Sequence, residues 1–313
     1  DEIYQDKRTW QKSNPSLGTV KLPSYLEDMM NKSRNDHAMK VTMLCKDFNI
    51  KQTDQGAWME FSDLNNLDTY QMSEVKDTYA IGGVDLSNTT DLTVAILLIV
   101  KGGKKYVVSQ YFMPADVLEK RKEEDNAPYD IWLSRGLITL TPGSQNDFSL
   151  VTSWFIKMIR EHGIRPLWIG YDPWNSLYWV KEMEEAGFTL EKVRQGIFSL
   201  SEPMKQLEAD LKNKLVNYNN NPMMKWNLAN TQAKVDINGN IQPSKLGSKF
   251  KPIDGAVALI IAYAVLNRYK QEYEGMMRWV YSIYLKAKNT KTKYPSLTCS
   301  HQISHSPVLM HKK

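Results

Sequence analysis

The chain is expected to fold as a mixed α/β domain, and three features predict it. From Tyr79 to Met113, three apolar, β-branched runs (YAIGGVDLS, DLTVAILLIV and KKYVVSQYFM) are separated only by the polar turns NTT and KGGK, the pattern of an antiparallel meander. Beyond the meander, segments with apolar residues at helical spacing alternate with short runs of buried-strand character. A content of 42% hydrophobic and 24% charged residues over 313 positions can bury a real core, which excludes a disordered chain and a disulfide-stapled miniprotein.

Residues 1–70 carry Tyr25, Leu26, Met29 and Met30 at helical spacing, interrupted by SNPSLG and the turn DQG, and read as a helical, loop-rich approach segment. After the meander come a charged helical stretch from Ala115 to Asp125 and a short run, GLITLTPG. Asp147 opens a helix with Phe148, Val151, Phe155, Met158 and Ile159 on one face. RPLWIGYD reads as a buried strand parallel to the first, Asn175 or Ser176 caps a helix that Gly187 ends, and FTLEKVRQG returns as a strand. Leu200, Met204, Leu207, Leu211 and Leu215 mark a further helix, and a last, very apolar one begins at Pro252.

Cys45 and Cys299 have no CxxC or histidine partner, and His37, His162, His301, His305 and His311 show no ligand spacing, so neither a disulfide framework nor a zinc site is expected. The longest apolar run, Gly255 to Leu266, is far shorter than the roughly 20 residues that span a bilayer. DEIYQDKRTW is no signal peptide, so a soluble, non-secreted protein without membrane contact is expected. The start at Asp rather than Met suggests a missing upstream portion. From Gly275 to Lys313 there are seven Lys/Arg and no Asp or Glu, against 33 basic and 35 acidic residues before it. This segment is expected to be a flexible basic tail, with a nucleic-acid-binding arm as the alternative.

Three acidic residues stand at the ends of apolar elements, where a carboxylate is costly unless it is paired or holds a cation. Asp85 lies in the first strand, Asp172 ends LWIGYD, and Asp254 occupies the first turn of the last helix. Taken singly they read as turn formers or dipole partners. If the later strand pairs with the first, however, all three converge at one end of the sheet. No basic side chain stands beside them in sequence, so divalent cations with oxygen ligands are the expected neutralisers. Two such ions about 3.5–4 Å apart make a phosphoryl-transfer site, which points to phosphodiester hydrolysis. Lys245, Lys249 and Lys251 precede Asp254 and are placed to meet a DNA backbone, or else form a solvated loop. Asp147 reads as a helix cap or as a further carboxylate of the site, Asp91 as a residue at the mouth of the site or the start of the second strand, and Trp174 and Trp179 as packing residues, with nucleotide contact as the alternative.

GGVDLSNTTDLT, IGYDPWN and KPIDGAVALIIAYA resemble the three acidic motifs of the nuclease domain of bacteriophage terminase large subunits, a branch of the ribonuclease H-like fold. Trp10, Lys12 and the run Asn14-Pro15-Ser16-Leu17-Gly18 resemble the segment that follows the packaging ATPase in that family, and the likeness spans roughly residues 8–270. It implies a ribonuclease H-like mixed sheet, three antiparallel strands plus parallel ones, flanked by helices. It further implies a nuclease domain over residues 71–274, behind a linker (1–70) that follows an ATPase. The implied activity is an endonuclease using two Mg²⁺ or Mn²⁺ ions to cut concatemeric viral double-stranded DNA during packaging. Asp85, Asp172 and Asp254 would be its catalytic metal ligands, with Asp85 bridging both ions. The implied setting is the cytoplasm of an infected bacterium, with a small terminase subunit and a portal protein as partners. No GxxxxGK[ST] loop occurs, since KGGKK and LGSKF lack its spacing and its Ser/Thr, so no ATP site is expected. The competing readings are a catalytically silent docking module and an actin-like ATPase or sugar-kinase half. DLSNTTD resembles that superfamily's phosphate hairpin, but the required second half is not found. Holliday-junction resolvases and integrases share the fold class but leave NPSLG unexplained.

Overall fold

Six strands run side by side in one mixed sheet: β1 (Thr78–Asp85), β2 (Thr93–Lys101), β3 (Lys104–Pro114), β4 (Ile138–Thr141), β5 (Ile164–Tyr171) and β6 (Leu190–Lys192), in the order β4-β3-β2-β1-β5-β6. A two-residue strand, β7 (Val216–Asn217), lies beside β3, and β8 (Gln232–Val235) and β9 (Ile241–Ser244) form a separate hairpin. The structure is a computed structural model that describes residues 2–53, 56–87, 91–174, 176–245 and 251–278. The chain divides into two units, residues 1–270 and 271–313. Of the second, residues 271–278 are helical and the remaining tail lies outside the described residues, as does Lys249.

The meander β1-β2-β3 is antiparallel, and β5 is parallel to β1, giving the ribonuclease H-like mixed sheet. Pro166 has no N–H to offer a ladder, and the β1–β5 register slips next to it, between Ala80 and Ile81. With that slip Gly83 faces Gly170 and Val84 faces Tyr171, so Asp85 and Asp172 each follow the last residue of a matched pair.

Seven longer helices frame the sheet and the approach segment: α1 (Pro23–Ser33), α2 (His37–Phe48), α3 (Ser149–His162), α4 (Leu177–Glu185), α5 (Ile197–Lys212), α6 (Pro222–Asn230) and α7 (Asp254–Arg268). On one face of the sheet, Ala80, Val84, Leu97 and Ile99 pack with Val151, Phe155 and Met158 of α3 and with Trp179 and Met183 of α4. The other face carries α7, most of whose residues are buried. The pair Gly83 and Gly170 seats it. A Cβ on Gly83 would stand 2.3 Å from the Ala258 carbonyl oxygen, and one on Gly170 would stand 2.6 Å from Val265 Cγ2. With Ala258 over Gly83, the residue one turn earlier, Asp254, is brought toward the end of β1 that carries Asp85.

The approach segment is helical in α1 and α2, which share a small core of Trp10, Leu26, Met30, Met43, Leu44 and Phe48. Asn14 of the NPSLG run is the latch of this core: its amide donates to the Asp47 and Trp10 carbonyls, while Lys21 bonds its Oδ1 at 3.0 Å and the Asp47 carboxylate at 2.6 Å. Residues 57–70 run along the sheet domain instead. Trp58 Nε1 donates to Glu208, Asn66 Nδ2 to the Val216 carbonyl and Tyr70 Oη to the Val107 carbonyl.

Several element boundaries depart from the periodicity. The last helix starts at Asp254, two residues after Pro252. Helix α5 ends at Lys212, and Leu215 falls beyond it, because Lys214 takes a left-handed conformation. Asp147 stands two residues ahead of α3 and caps it by accepting from the Ser149 backbone N–H and hydroxyl. Ser176 precedes α4 without a side-chain cap, and only Leu190–Lys192 of FTLEKVRQG pairs as strand.

Candidate active site

Asp85 ends β1 and Asp254 begins α7, and both line one cleft of about 470 Å³, together with Ser87, Asp91, Gln195 and Lys245. The turn after β1 is pinned from several sides. Thr93 Oγ1 accepts from the Ser87 N–H, Asn146 Nδ2 donates to the Ser87 carbonyl at 2.7 Å, and the Asp91 N–H donates to Ser87 Oγ. From the opposite wall Gln195 Nε2 reaches Asp85 Oδ1 at 3.4 Å.

Asp254 is 5% exposed. Its Oδ1 lies 3.4 Å from Lys245 Nζ, whereas its Oδ2 is buried with no hydrogen-bond partner. The start of α7 is clamped by α6, with Asn227 Oδ1 accepting from the Gly255 N–H at 2.8 Å and Asn230 Nδ2 donating to the Pro252 carbonyl. Against the same turn stands Tyr111 of β3, whose buried hydroxyl has no partner and would lie 2.4 Å from a Cβ on Gly255.

Among the described residues that line the cleft, three carboxylates, Asp85, Asp91 and Asp254, face one ammonium, Lys245. Burial, and then the charges of Asp254, Asp172 and Asp91, push the Asp85 carboxyl well above its ordinary range, with only Lys245 pulling it down. Burial likewise pushes Asp254 up to about 6, against the pull of Lys245. Lys245 is desolvated, which disfavours its charge, yet Asp254 and Asp91 hold the ammonium above its ordinary value. Its Nζ is 3.0 Å from Asp91 Oδ2. The lysine expected to face a DNA backbone therefore sits inside the cleft, between two carboxylates, and Asp91 lines the site as well as preceding β2.

Asp172 stands apart. It follows β5 at the same end of the sheet and its charge is felt by Asp85, but it does not line the cleft. Its carboxyl is raised by burial and restrained by a 3.2 Å bond from the Trp174 N–H. Among the described residues, no group of three or more acidic, histidine or cysteine side chains is gathered tightly enough to hold a metal ion. The donor set still fits a divalent cation. An unpartnered buried carboxylate oxygen, a second desolvated carboxylate and a single ammonium shared between Asp91 and Asp254 leave negative charge that a hard cation with oxygen ligands neutralises. Lys251 is partly buried three residues before Asp254.

Gln195, Tyr111 and Asn227 complete the site, and nothing in their local sequence marks them. Tyr111 and Asn227 are brought in by the packing of α7 against β3 and α6, and Gln195 by the loop after β6 at the same end of the sheet. Of the two tryptophans read as packing residues, Trp179 is 1% exposed but Trp174 is 77% exposed.

Residues 1–269 match the family model described as terminase large subunit, endonuclease domain. The chain is 24% identical over 270 residues to the terminase large subunit of Enterobacteria phage HK97, covering 85% of this chain and 53% of that protein. It is 26% identical over 267 residues to the terminase large subunit of Lactococcus phage p2, covering 83% and 48%. In fold it is similar to the crystal structure of the HK97 large terminase, with a TM-score of 0.60 at 23% identity over 83% of this chain and 54% of that one. The chain spans about half the length of these relatives.

Proposed function

This chain belongs to the terminase large-subunit endonuclease-domain family, and on that premise we propose that it is a divalent-metal-dependent endodeoxyribonuclease that hydrolyses phosphodiester bonds of double-stranded DNA. The observation that carries the reading is the charge imbalance of one cleft: Asp85, Asp91 and Asp254 against Lys245, with Asp254 Oδ2 buried and unpartnered. Asp85, Asp172 and Asp254 would hold two Mg²⁺ or Mn²⁺ ions, with Asp85 shared. When bound, such ions supply an acidified water and positive charge for the leaving oxygen.

The chain's own groups prepare that chemistry. The dipole of α7 favours Asp254 as an anion, and the Gly83–Gly170 seat fixes the helix so that this anion faces Asp85. Gln195 orients Asp85 from across the cleft. Lys245, held by Asp91 and Asp254, is at hand for a phosphate oxygen, and Lys249 and Lys251 would add contacts to the DNA backbone. Contacts of this kind are made to phosphates rather than base edges, so cutting has low sequence preference.

In this reading residues 71–274 are the nuclease domain, residues 1–70 join it to an ATPase, and 275–313 form a tail. The whole protein cuts concatemeric viral DNA in the host cytoplasm, working with a small subunit and a portal. The test is supercoiled-plasmid cleavage with Mg²⁺, Mn²⁺, Ca²⁺ or EDTA, run beside Asp85→Ala. Cutting in Mg²⁺ or Mn²⁺ that both EDTA and the substitution abolish is expected. Cutting by Asp85→Ala at the parental rate, or no cutting by the folded parent in any metal, overturns the reading, the latter in favour of a docking module.

A further inference from the structure

Two loops leave the sheet next to each other at the end that carries the acidic cleft. One follows β5 and contains Asp172 and Trp174; the other follows β6 and contains Arg194 and Gln195. They are neighbours because β5 and β6 are parallel and in register, Tyr171 facing Lys192, with the Val193 N–H donating to the Tyr171 carbonyl. The β6 loop reaches the cleft through Gln195 on Asp85, while the β5 loop, at the same end of the sheet, is turned by the Trp174 N–H bonding Asp172.

Both also lead into large apolar side chains that the fold leaves in water. Trp174 and Leu177 are each 77% exposed, and Tyr178 and Phe198 are each 90% exposed. Four such residues on two neighbouring loops and the first turns of the helices that follow are more than the scattered exposure expected of a surface. Three are aromatic, and an exposed arginine, Arg194, lies between the strand end and Phe198.

We propose that this aromatic rim is a stacking platform for unpaired bases of a DNA strand whose backbone enters the acidic cleft. The proposal rests on the nuclease reading and narrows its substrate to DNA with locally opened or single-stranded character. The phosphate backbone of an intact duplex is met by lysines and arginines, and its base faces are covered. Exposed aromatic rings gain most from a base whose face is open, about 1–3 kcal/mol per stacked base. Arg194 supplies the phosphate contact that such a strand needs beside its stacked bases. The far end of α4 carries exposed Glu184 and Glu185, which repel phosphates.

The test is binding in EDTA, where no cutting intervenes, of the full chain to fluorescein-labelled oligo(dT) and to a duplex of the same length, read by anisotropy. Trp174→Ala and Phe198→Ala change exposed positions and should leave the fold intact, as checked by melting temperature, and Trp174→Phe retains a ring. The expected result is at least a tenfold loss of oligo(dT) affinity for each alanine variant, near-parental binding for Trp174→Phe, and less than a twofold change on the duplex. Unchanged oligo(dT) binding, or equal losses on both probes, overturns the platform. So does sedimentation showing a dimer that the alanine variants dissolve, since the rim would then be covered by a second copy of the chain. Plasmid cutting with Mn²⁺ is scored separately: a parent that fails to cut yet shows the selective oligo(dT) loss retains the platform and loses the nuclease reading.

Discussion

Two buried aspartates lie against the same helix and could hardly differ more. Asp210, 8% exposed, has one oxygen held by Lys105 Nζ at 2.8 Å and by the Tyr263 hydroxyl of α7 at 2.9 Å. Asp254, 5% exposed at the start of that helix, shares one lysine with Asp91 and leaves an oxygen without a partner. The first arrangement is balanced, one anion against one cation with a hydroxyl added, and it ties β3, α5 and α7 together. The second is unbalanced, and its deficit is one that a ligand can fill. Burial of a charge does not by itself separate structure from function; unsatisfied burial does.

The largest expected effect comes from removing each charge in turn. Asp254→Asn should lower metal-dependent cleavage at least a hundredfold while raising the melting temperature of the metal-free chain by several degrees. Asp210→Asn should do the reverse, leaving cleavage per folded molecule near parental while costing about 3 kcal/mol, because Lys105 would be left buried and unpaired. Calorimetry in EDTA beside plasmid cleavage separates the two, and a destabilised Asp254→Asn would erase the contrast.

The pH dependence follows from the same asymmetry. Asp254 has an ordinary value of 3.8 when unfolded and is pushed up to about 6 when folded, so between those values the native state holds a proton that the unfolded state has lost. Stability of the metal-free chain therefore falls as pH rises from about 4 to 6 and stays reduced above, on the order of 3 kcal/mol from this group. Asp85, also raised, adds in the same direction. Urea melts at pH 5 and pH 7.5 in EDTA check this, and Asp254→Asn should flatten the difference.

A smaller effect is expected at Lys245. Lys245→Met removes the cleft's cation, so the metal-free protein should melt lower and the stabilisation on adding Mn²⁺ should grow. An unchanged Mn²⁺ shift would show that the lysine does not compete with metal. The smallest effect belongs to Tyr111→Phe, which deletes a buried hydroxyl that has no hydrogen-bond partner. Stability should stay level or rise by up to about 1 kcal/mol, and cleavage should remain within threefold. A larger loss of cleavage would mean that the hydroxyl engages Asp254 during the reaction.

Much of this was legible along the chain. The meander reads from its apolar, β-branched runs and the polar turns between them, because strand composition and turn residues are local properties. The aspartates at the ends of GGVD and WIGYD and in PIDGA stand out because carboxylates at the ends of apolar elements need a reason. Boundaries were less legible: Pro252 is a good first-turn residue, but the helix waits for Asp254, where the clamp from Asn227 and Asn230 takes hold. Trp174 and Trp179 are five residues apart and look alike in sequence, yet only Trp179 points into the core.

By itself, then, the sequence determined the element types, their order and the three acidic positions, because these follow from periodicity and from the cost of burying charge. Tertiary structure alone decided which charges meet. Lys245 and Asp91 are 154 residues apart and pair across the cleft. Gln195 and Asp85 are 110 apart and meet because β5 and β6 extend the sheet beside β1. Asp172, marked as clearly as its companions, stands outside the cleft lining, with one of its oxygens accepting from the Trp174 N–H. Contacts between residues so far apart depend on register, on the Gly83–Gly170 seat beneath α7 and on the direction of loops, and none of these has a local signature.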